Sequence, residues 1–354
     1  MEFNKSFLSK VRLLIEFRQK ELSANFSDSK GAKITRIQQI RTDPVTLKTC
    51  RITPGRALEE KRDQKEFHRL PQKDLDPDQC PFCPGNIDLM TPCLAREITD
   101  TGKLYYRESV LFPNLYPYTE WSAVSLFGKD HYVEIGTASA ESYADSFINC
   151  ARYLSRVKSA DPGAVYMSIT QNHLPGAGGS LVHPHLQVHA SKTASNAHNM
   201  LRKRYLAYLS RHRTDILADL TDTEKKTGQR YIGSTGMWEW MAAFAPSGFH
   251  EIWGIAPTRF SLMDHDDTDL WTDLARGILN IQKLYRNLGK NAYNLAMISL
   301  EGTDKAPCLR ACITARSNYA PWVRNDFTGF EIASKEMATF TFPEDLALTA
   351  KKFW

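Results

Sequence analysis

The stretch His183-Pro184-His185-Leu186-Gln187-Val188-His189 constrains this chain more than any other. Histidine recurs at every second position, with glutamine taking one turn. In an extended strand, successive side chains point to opposite faces. The spacing therefore predicts a strand with Leu181, His183, His185, Gln187 and His189 on one face. Val182, Pro184, Leu186, Val188 and Ala190 fall on the other. One face is suited to packing and the other to chemistry. A surface strand that merely happens to be rich in histidine explains the pattern poorly, because histidine is no strong strand former and titrates near neutrality. Just upstream, Asn172-His173-Leu174-Pro175-Gly176-Ala177-Gly178-Gly179-Ser180 forms a polar, glycine-rich loop. Such a loop is suited to bring backbone N–H groups close to a phosphate. An imidazole beside a phosphate cradle points to phosphoryl or nucleotidyl transfer.

A second constellation is Cys80-Pro81-Phe82-Cys83-Pro84-Gly85-Asn86. Its C-x-x-C spacing holds two thiolates as tetrahedral zinc requires, and zinc needs two further ligands. The chain has no second C-x-x-C, so histidines must complete a site, and His131 and His183 are the best candidates. A redox dithiol and a pair of buried, unlinked cysteines are the alternatives. The knuckle does not open a helix after a strand, as thioredoxin-like motifs do.

The 354 residues suffice for one large domain or two ordinary ones, with 42% apolar and 24% charged residues. A net charge of +5 leans slightly toward anionic small molecules and makes a poor case for nucleic acid. Seven cysteines without a framework spacing fit a reducing compartment. No secretory pattern opens the chain and no apolar run approaches membrane-spanning length, so a cytoplasmic location without a membrane partner is expected.

Within Met1 to Lys20, Phe3, Phe7, Val11, Leu14 and Ile15 recur at helical spacing, which predicts a docked helix. Asn25 to Lys33 reads as a linker. Beyond it the pattern repeats. A strand pair (110–126), a helix (139–158), a strand (165–171), the glycine loop and the histidine strand form the first copy. A strand pair (238–255), a helix (268–288), a strand (293–300), a polar loop and a strand (309–316) form the second, without histidine on its last strand. A helical connector (195–220), basic on its solvent side, joins them. The expectation is a duplicated α+β fold with one active half. Its parts are an N-terminal helical extension (1–34), a first half (35–194) with the histidine and cysteine motifs, and a second half (195–354).

These residues resemble the galactose-1-phosphate uridylyltransferase family of the histidine triad superfamily. The likeness runs from about Arg41 to Leu348. It takes in Arg41-Thr42-Asp43-Pro44, Thr53-Pro54-Gly55-Arg56, the cysteine knuckle, Phe112-Pro113-Asn114, Asp130-His131, Gly329-Phe330-Glu331 and Pro343-Glu344-Asp345. The knuckle and the His-Pro-His-x-Gln strand together are the specific part. The resemblance implies a duplicated histidine-triad-like fold of two antiparallel sheets with packed helices, and a homodimer. It also implies a two-step exchange of a nucleoside monophosphate between a nucleotide sugar and a sugar 1-phosphate, through a nucleotidyl-histidine.

Carried over by position, the resemblance makes His185 the nucleophile and Gln187 a ligand of the phosphoryl oxygens. Cys80, Cys83, His131 and His183 match a zinc site. Asn114, Asn172, Ser180, Arg56 and the loop glycines Gly178 and Gly179 match nucleotide and phosphate contacts, and Glu331 a contact to sugar hydroxyls. Gln187 stands where histidine triad hydrolases carry histidine, and a neutral amide there suits a transferase that keeps its intermediate for a second substrate. The chain departs from the family at His189, Glu59 and Met337, which replace a tryptophan, an arginine and a glutamine. Leu309-Arg310-Ala311-Cys312 lacks the histidines of a second metal site. The Glu59 and Met337 changes put galactose specificity in question. They leave open a phosphorylase that uses inorganic phosphate, and beside it a zinc-stabilised nucleotide-binding protein without catalysis.

Overall fold

The computed structural model describes residues 14–54, 70–256, 260–300, 308–319 and 325–354. A ribbon of β1 (Arg18–Ser27) and β2 (Lys33–Thr42) leads into β3 (Thr49–Ile52). The knuckle is followed by the one-turn helix α1 (Ile87–Met90). Then come β4 (Leu104–Tyr106), β5 (Ser109–Pro113), β6 (Trp121–Leu126), α2 (Ala140–Ala160), β7 (Tyr166–His173) and β8 (His185–Ser191). The connector is two helices, α3 (Asn196–His212) and α4 (Ile216–Thr227). The second half supplies β9 (Tyr231–Thr235), β10 (Trp238–Ala242), β11 (Phe249–Ala256), α5 (Thr268–Asn287), β12 (Tyr293–Ile298) and β13 (Leu309–Ala315). The chain closes with α6 (Gly329–Ser334), β14 (Met337–Thr339) and α7 (Pro343–Ala350).

Ten of these strands form one antiparallel sheet in the order β4-β5-β6-β8-β7-β12-β13-β11-β10-β9. Read from either end, the order describes the same motif. The duplication is thus built into a single sheet, whose halves meet where β7 pairs with β12 and Asn172 faces Asn294. The second sheet is small, β1-β2-β3-β14, and its β3–β14 pair is parallel.

Local chemistry sets the helix ends. Ser139 caps α2 by accepting from the Ser142 N–H, and Asp267 does the same for α5 at Leu270. Gly228 ends α4 in the left-handed region. Both long helices lie on one face of the large sheet. There Phe147 of α2 stacks on Trp271 of α5 at 5.5 Å, and Leu186, Val188 and Ala190 of β8 complete the same core. The periodic apolar stripe of each helix is what the sheet buries.

The other sheet face differs between halves. In the second half α3 and α4 cover it, with Tyr205, Ile216, Leu217 and Leu220 packed on Met241, Trp253 and Ile255. In the first half the connector reaches only the start of β7, where His198 of α3 sits edge-on to Tyr166 at 5.4 Å, and Phe82 and Ile87 pack against Phe112, Val124 and Leu126. Among the described residues, this asymmetry leaves the face that carries His185 and Gln187 without a covering helix.

Two expectations for the start of the chain need correction. Residues 18–27 are a strand, not part of a helical extension spanning 1–34. The expected helix otherwise falls on residues 1–13, outside the described residues. Nor is 25–33 a linker: it holds the end of β1, the start of β2 and the turn between them. There Asp28 accepts from the Lys30 and Ala32 N–H groups, and Gly31 adopts φ +82°. The polar composition that reads as a linker is that of a solvated ribbon. None of the described helices is long and apolar enough to cross a membrane.

Candidate active site and metal cluster

The strand β8 begins at His185, so the predicted alternation holds only from there onward. His185, Gln187 and His189 share one face, between Leu126, Val124 and Ser122 of β6 on one side and Thr170 and Ser168 of β7 on the other. His183 lies in the preceding turn, and its ring joins the cysteines instead.

That turn builds a compact cluster. Cys83 Sγ lies 3.3 Å from His131 Nδ1 and 3.7 Å from His183 Nδ1, and Cys80 Sγ lies 3.8 Å from His183 Nδ1. All four donor atoms fall within 4.8 Å of one another. A tetrahedral ion with bonds of about 2.0–2.3 Å places its ligand atoms about 3.3–3.8 Å apart, which these three sulfur–nitrogen distances match, so the residues fit such an ion. The rings are oriented for it. His131 Nε2 donates to the Asp74 carbonyl at 2.9 Å and His183 Nε2 to the Gly128 carbonyl at 3.2 Å, which turns both Nδ1 atoms inward. Burial and the neighbouring Cys80 push the Cys83 thiol up to about 11, while burial lowers His183 to about 4. A cation among them would offset the cost of two adjacent thiolates.

His185 is held by the same turn. Its Nδ1 donates to the His183 carbonyl at 2.7 Å, leaving a lone pair on Nε2. Burial holds its pKa below the ordinary imidazole value, against a smaller opposing effect of that hydrogen bond. Phe82, from between the two cysteines, sets its ring edge-on to His185 at 5.4 Å. The knuckle therefore braces the histidine directly, through a residue the sequence reading did not single out. Gln187 makes no side-chain hydrogen bond among the described residues, so its amide is open to a ligand.

The glycine loop differs from expectation. The amides of Ala177, Gly178 and Gly179 donate to the Leu174 and Pro175 carbonyls, so Gly178 and Gly179 do not present their N–H groups to a phosphate. They shape the turn. Gly178 sits at φ +87°, and a Cβ on Gly179 would lie 2.8 Å from the Asn172 carbonyl oxygen. Ser180, which follows them, is exposed.

Asn172 is positioned across the pseudo-symmetry axis. Asn294 Nδ2 donates to its Oδ1 at 2.7 Å and to the Ala177 carbonyl at 2.9 Å, while Arg316 donates to Asn294 Oδ1 and pairs with Asp326. The Asn172 amide N–H groups are thereby left for a ligand. Asn294 and Arg316 escaped the sequence reading because only the β7–β12 register brings them to the first half's site. Asn114, in the loop after β5, accepts from the Tyr116 N–H. Arg56 and Glu59 lie outside the described residues.

Glu331 is buried in a capping box: Thr328 donates its N–H and hydroxyl to Oε2, and the Ala338 N–H reaches Oε1 at 3.3 Å. Three of the roughly four lone-pair positions of this carboxylate are thus engaged locally. His189 is buried against Tyr118, with Nδ1 3.0 Å from the Ser122 hydroxyl, as a satisfied structural histidine would be.

No protein-family model matches the chain. An uncharacterized protein of Archaeoglobus fulgidus is 32% identical over 326 residues, 92% of this chain and 95% of that one. The chain belongs to that protein's family. Among solved structures, an ADP-glucose phosphorylase from Arabidopsis thaliana with bound ADP-glucose gives a TM-score of 0.68 at 19% identity, over 89% of this chain and 99% of that one. A GalT-like protein from the same plant gives 0.67 at 19%, over 88% and 98%. A uridylyltransferase gives 0.63 at 18%, over 89% and 98%. These likenesses establish for this chain the uridylyltransferase-like fold that the sequence resemblance implied.

Proposed function

We propose that the protein transfers a nucleoside monophosphate from a nucleotide sugar to a phosphate-bearing acceptor through a covalent nucleotidyl-His185. The observation that carries this reading is the His185 tautomer, with Nδ1–H tied to a carbonyl and a neutral Nε2 beside the unengaged amide of Gln187. In the first step Nε2 attacks the α-phosphorus, and the bond to the bridging oxygen breaks, releasing a sugar 1-phosphate. In the second, an acceptor phosphate oxygen attacks the same phosphorus and the P–N bond breaks, returning the electron pair to Nε2. Gln187, Asn172 and Ser180 are suited to donate to the phosphoryl oxygens in both steps.

Cys80, Cys83, His131 and His183 would hold zinc, which supplies rigidity to the turn carrying His185. With four protein ligands the site has no open position for a substrate.

Two acceptors are in competition. A sugar 1-phosphate is what the sequence resemblance implies. Inorganic phosphate is favoured by Glu331, whose carboxylate is largely engaged in its own helix cap, and by Met337, which offers a sugar hydroxyl no amide. The relation to a fold-mate named ADP-glucose phosphorylase points the same way. Product analysis separates them: UDP-glucose or ADP-glucose is supplied with phosphate alone, galactose 1-phosphate alone, or isotope-labelled glucose 1-phosphate alone. A nucleoside diphosphate formed with phosphate supports the phosphorylase. A preference of a hundredfold or more for galactose 1-phosphate, about what a well-made polar pocket provides, rejects it.

A further inference from the structure

The sheet face that α3 and α4 cover in the second half is not completely filled. Ala296 of β12 pairs with Cys312 of β13, so two small side chains stand side by side beneath the connector. Tyr205 of α3 and Ile216 and Leu217 of α4 close over them, and a cavity of about 80 Å³ is left between. One water needs only about 10–15 Å³ of such space, and a pocket for a drug-sized molecule has roughly 300 Å³ or more. The cavity therefore suits one small molecule. Leu201, Ile298 and Leu300 in its wall are only half-buried, so the wall reaches solvent there.

Arg310 is the one charged residue among the described lining residues. It alternates with Leu309 and Ala311 on β13 and so shares the face of Cys312. Its guanidinium lies over the Trp253 ring, 4.3 Å from the centroid. Trp253 is itself fixed, since its Nε1 donates to Glu251 Oε1 at 2.7 Å. The other oxygen of Glu251 accepts from the Ser247 N–H and hydroxyl, so this carboxylate is engaged within its own strand and turn. Among the described residues Arg310 forms no ion pair, and its buried Nη1 has no hydrogen-bond partner. A guanidinium donor left unanswered beside an apolar void is costly unless an anion reaches it.

We infer that this cavity binds a small monocarboxylate with an apolar body, the carboxylate on Arg310 and the body against Ala296, Ile298 and Leu217. Charge and shape select this class of ligand. One cation compensates one negative charge, so a phosphate dianion would keep an unpaired charge among aliphatic walls. The planar guanidinium fork matches a carboxylate, which can accept two parallel N–H bonds. The walls favour a hydrocarbon body over a hydroxylated one, whose oxygens would find few partners there. The volume is too small for a nucleotide. The site stands on the half that lacks His185, on the strand that answers to β8, and does not depend on the transfer chemistry.

The test is calorimetric titration of the full-length protein with sodium hexanoate. About one hexanoate per chain should bind, with a dissociation constant of about 1 mM or lower, as a ligand of this size allows. Hexan-1-ol, which has the body without the charge, should bind at least tenfold more weakly. Inorganic phosphate, which has the charge without the body, should leave the hexanoate affinity unchanged. Arg310→Met removes the cation, keeps an apolar side chain of similar length and breaks no side-chain hydrogen bond, so it should fold and weaken hexanoate at least tenfold. Ala296→Leu fills the cavity from the sheet side and should abolish binding, with melting curves confirming that each variant is folded. No binding of hexanoate at about 10 mM overturns the proposal. So does a folded Arg310→Met or Ala296→Leu that binds as the wild type does. Hexan-1-ol that matches hexanoate, or phosphate that displaces it, overturns the assignment to a carboxylate.

Discussion

The proton of His185 sits on Nδ1 because the His183 carbonyl accepts it, and the free Nε2 is what suits this residue to the nucleophilic role proposed for it. Burial keeps the ring neutral below the ordinary imidazole pKa near 6.5. Since the neutral form is the reactive one, nucleotidylation should stay on its plateau as pH falls from 7.5 through 6.5. Rapid-quench labelling across that range checks it, and a half-maximal rate at or above pH 6.5 would show that burial does not protect the base. Gln187 can donate but cannot relay a proton. Gln187→His should therefore shorten the life of the covalent intermediate in water by tenfold or more, within the usual range of general acid–base assistance. The decay of isolated nucleotidyl-enzyme measures this directly. The chemical identity of both residues was legible in the alternating strand. The tautomer was not, because it depends on a carbonyl that a turn brings within 2.7 Å of the ring.

At the scale of elements, the site is a joint between the knuckle, the loop before β8 and the sheet. Cys83→Ser should lower bound zinc well below one per chain and reduce Tm by several degrees, read by metal analysis and calorimetry on the same samples. Gly179→Ala forces a Cβ to within 2.8 Å of the Asn172 carbonyl oxygen, a backbone atom that cannot turn aside. The loop must shift, and a displacement of about 1 Å at a positioning element costs on the order of a hundredfold in rate. We expect kcat to fall by ten- to a hundredfold while zinc content is unchanged; an unaltered kcat would remove the loop from the mechanism. Strands β5–β8 and β10–β13 and helices α2 and α5 were readable from period and caps, whereas β2, β3, β4, β9, β14, α6 and α7 were not anticipated. Helix α2, expected over 139–158, spans Ala140–Ala160, and α5, expected over 268–288, spans Thr268–Asn287. The use of the loop amides was not readable, because composition cannot show that Gly178 and Gly179 bond back to Leu174 and Pro175. Residues 18–33 misled for a related reason: an exposed ribbon has few apolar residues to betray its period.

Over the whole molecule, duplication gives two similar sheet faces, and the connector covers one of them. Helices α3 and α4 seal the second half's face, where Arg310 and Cys312 stand on the strand that answers to β8. The repeat was visible in the order of elements, but the fusion of both halves into one ten-stranded sheet was not, because β7–β12 pairing joins segments over a hundred residues apart. The buried histidines have a collective consequence. Burial lowers His173 and His250 to about 3 and His189 to about 4. The unfolded chain protonates these rings near pH 6.5 and the folded chain does not. Their contribution is therefore intact above pH 6.5 and is lost as pH falls toward 4, by up to about 1.4 kcal/mol per pH unit for each ring. Urea titrations at pH 7.0, 6.0 and 5.0 should show stability falling steeply with acid, and a flat profile would contradict this. The central claim is the covalent intermediate, and intact-mass analysis of the protein after incubation with UDP-glucose and ADP-glucose tests it most directly. The expected result is a gain of one uridylyl or adenylyl group on the wild type, lost when phosphate or a sugar 1-phosphate is added, and no gain on a folded His185→Ala variant. A wild type that turns over substrate without ever carrying the group, or an alanine variant that still acquires it, would contradict the mechanism.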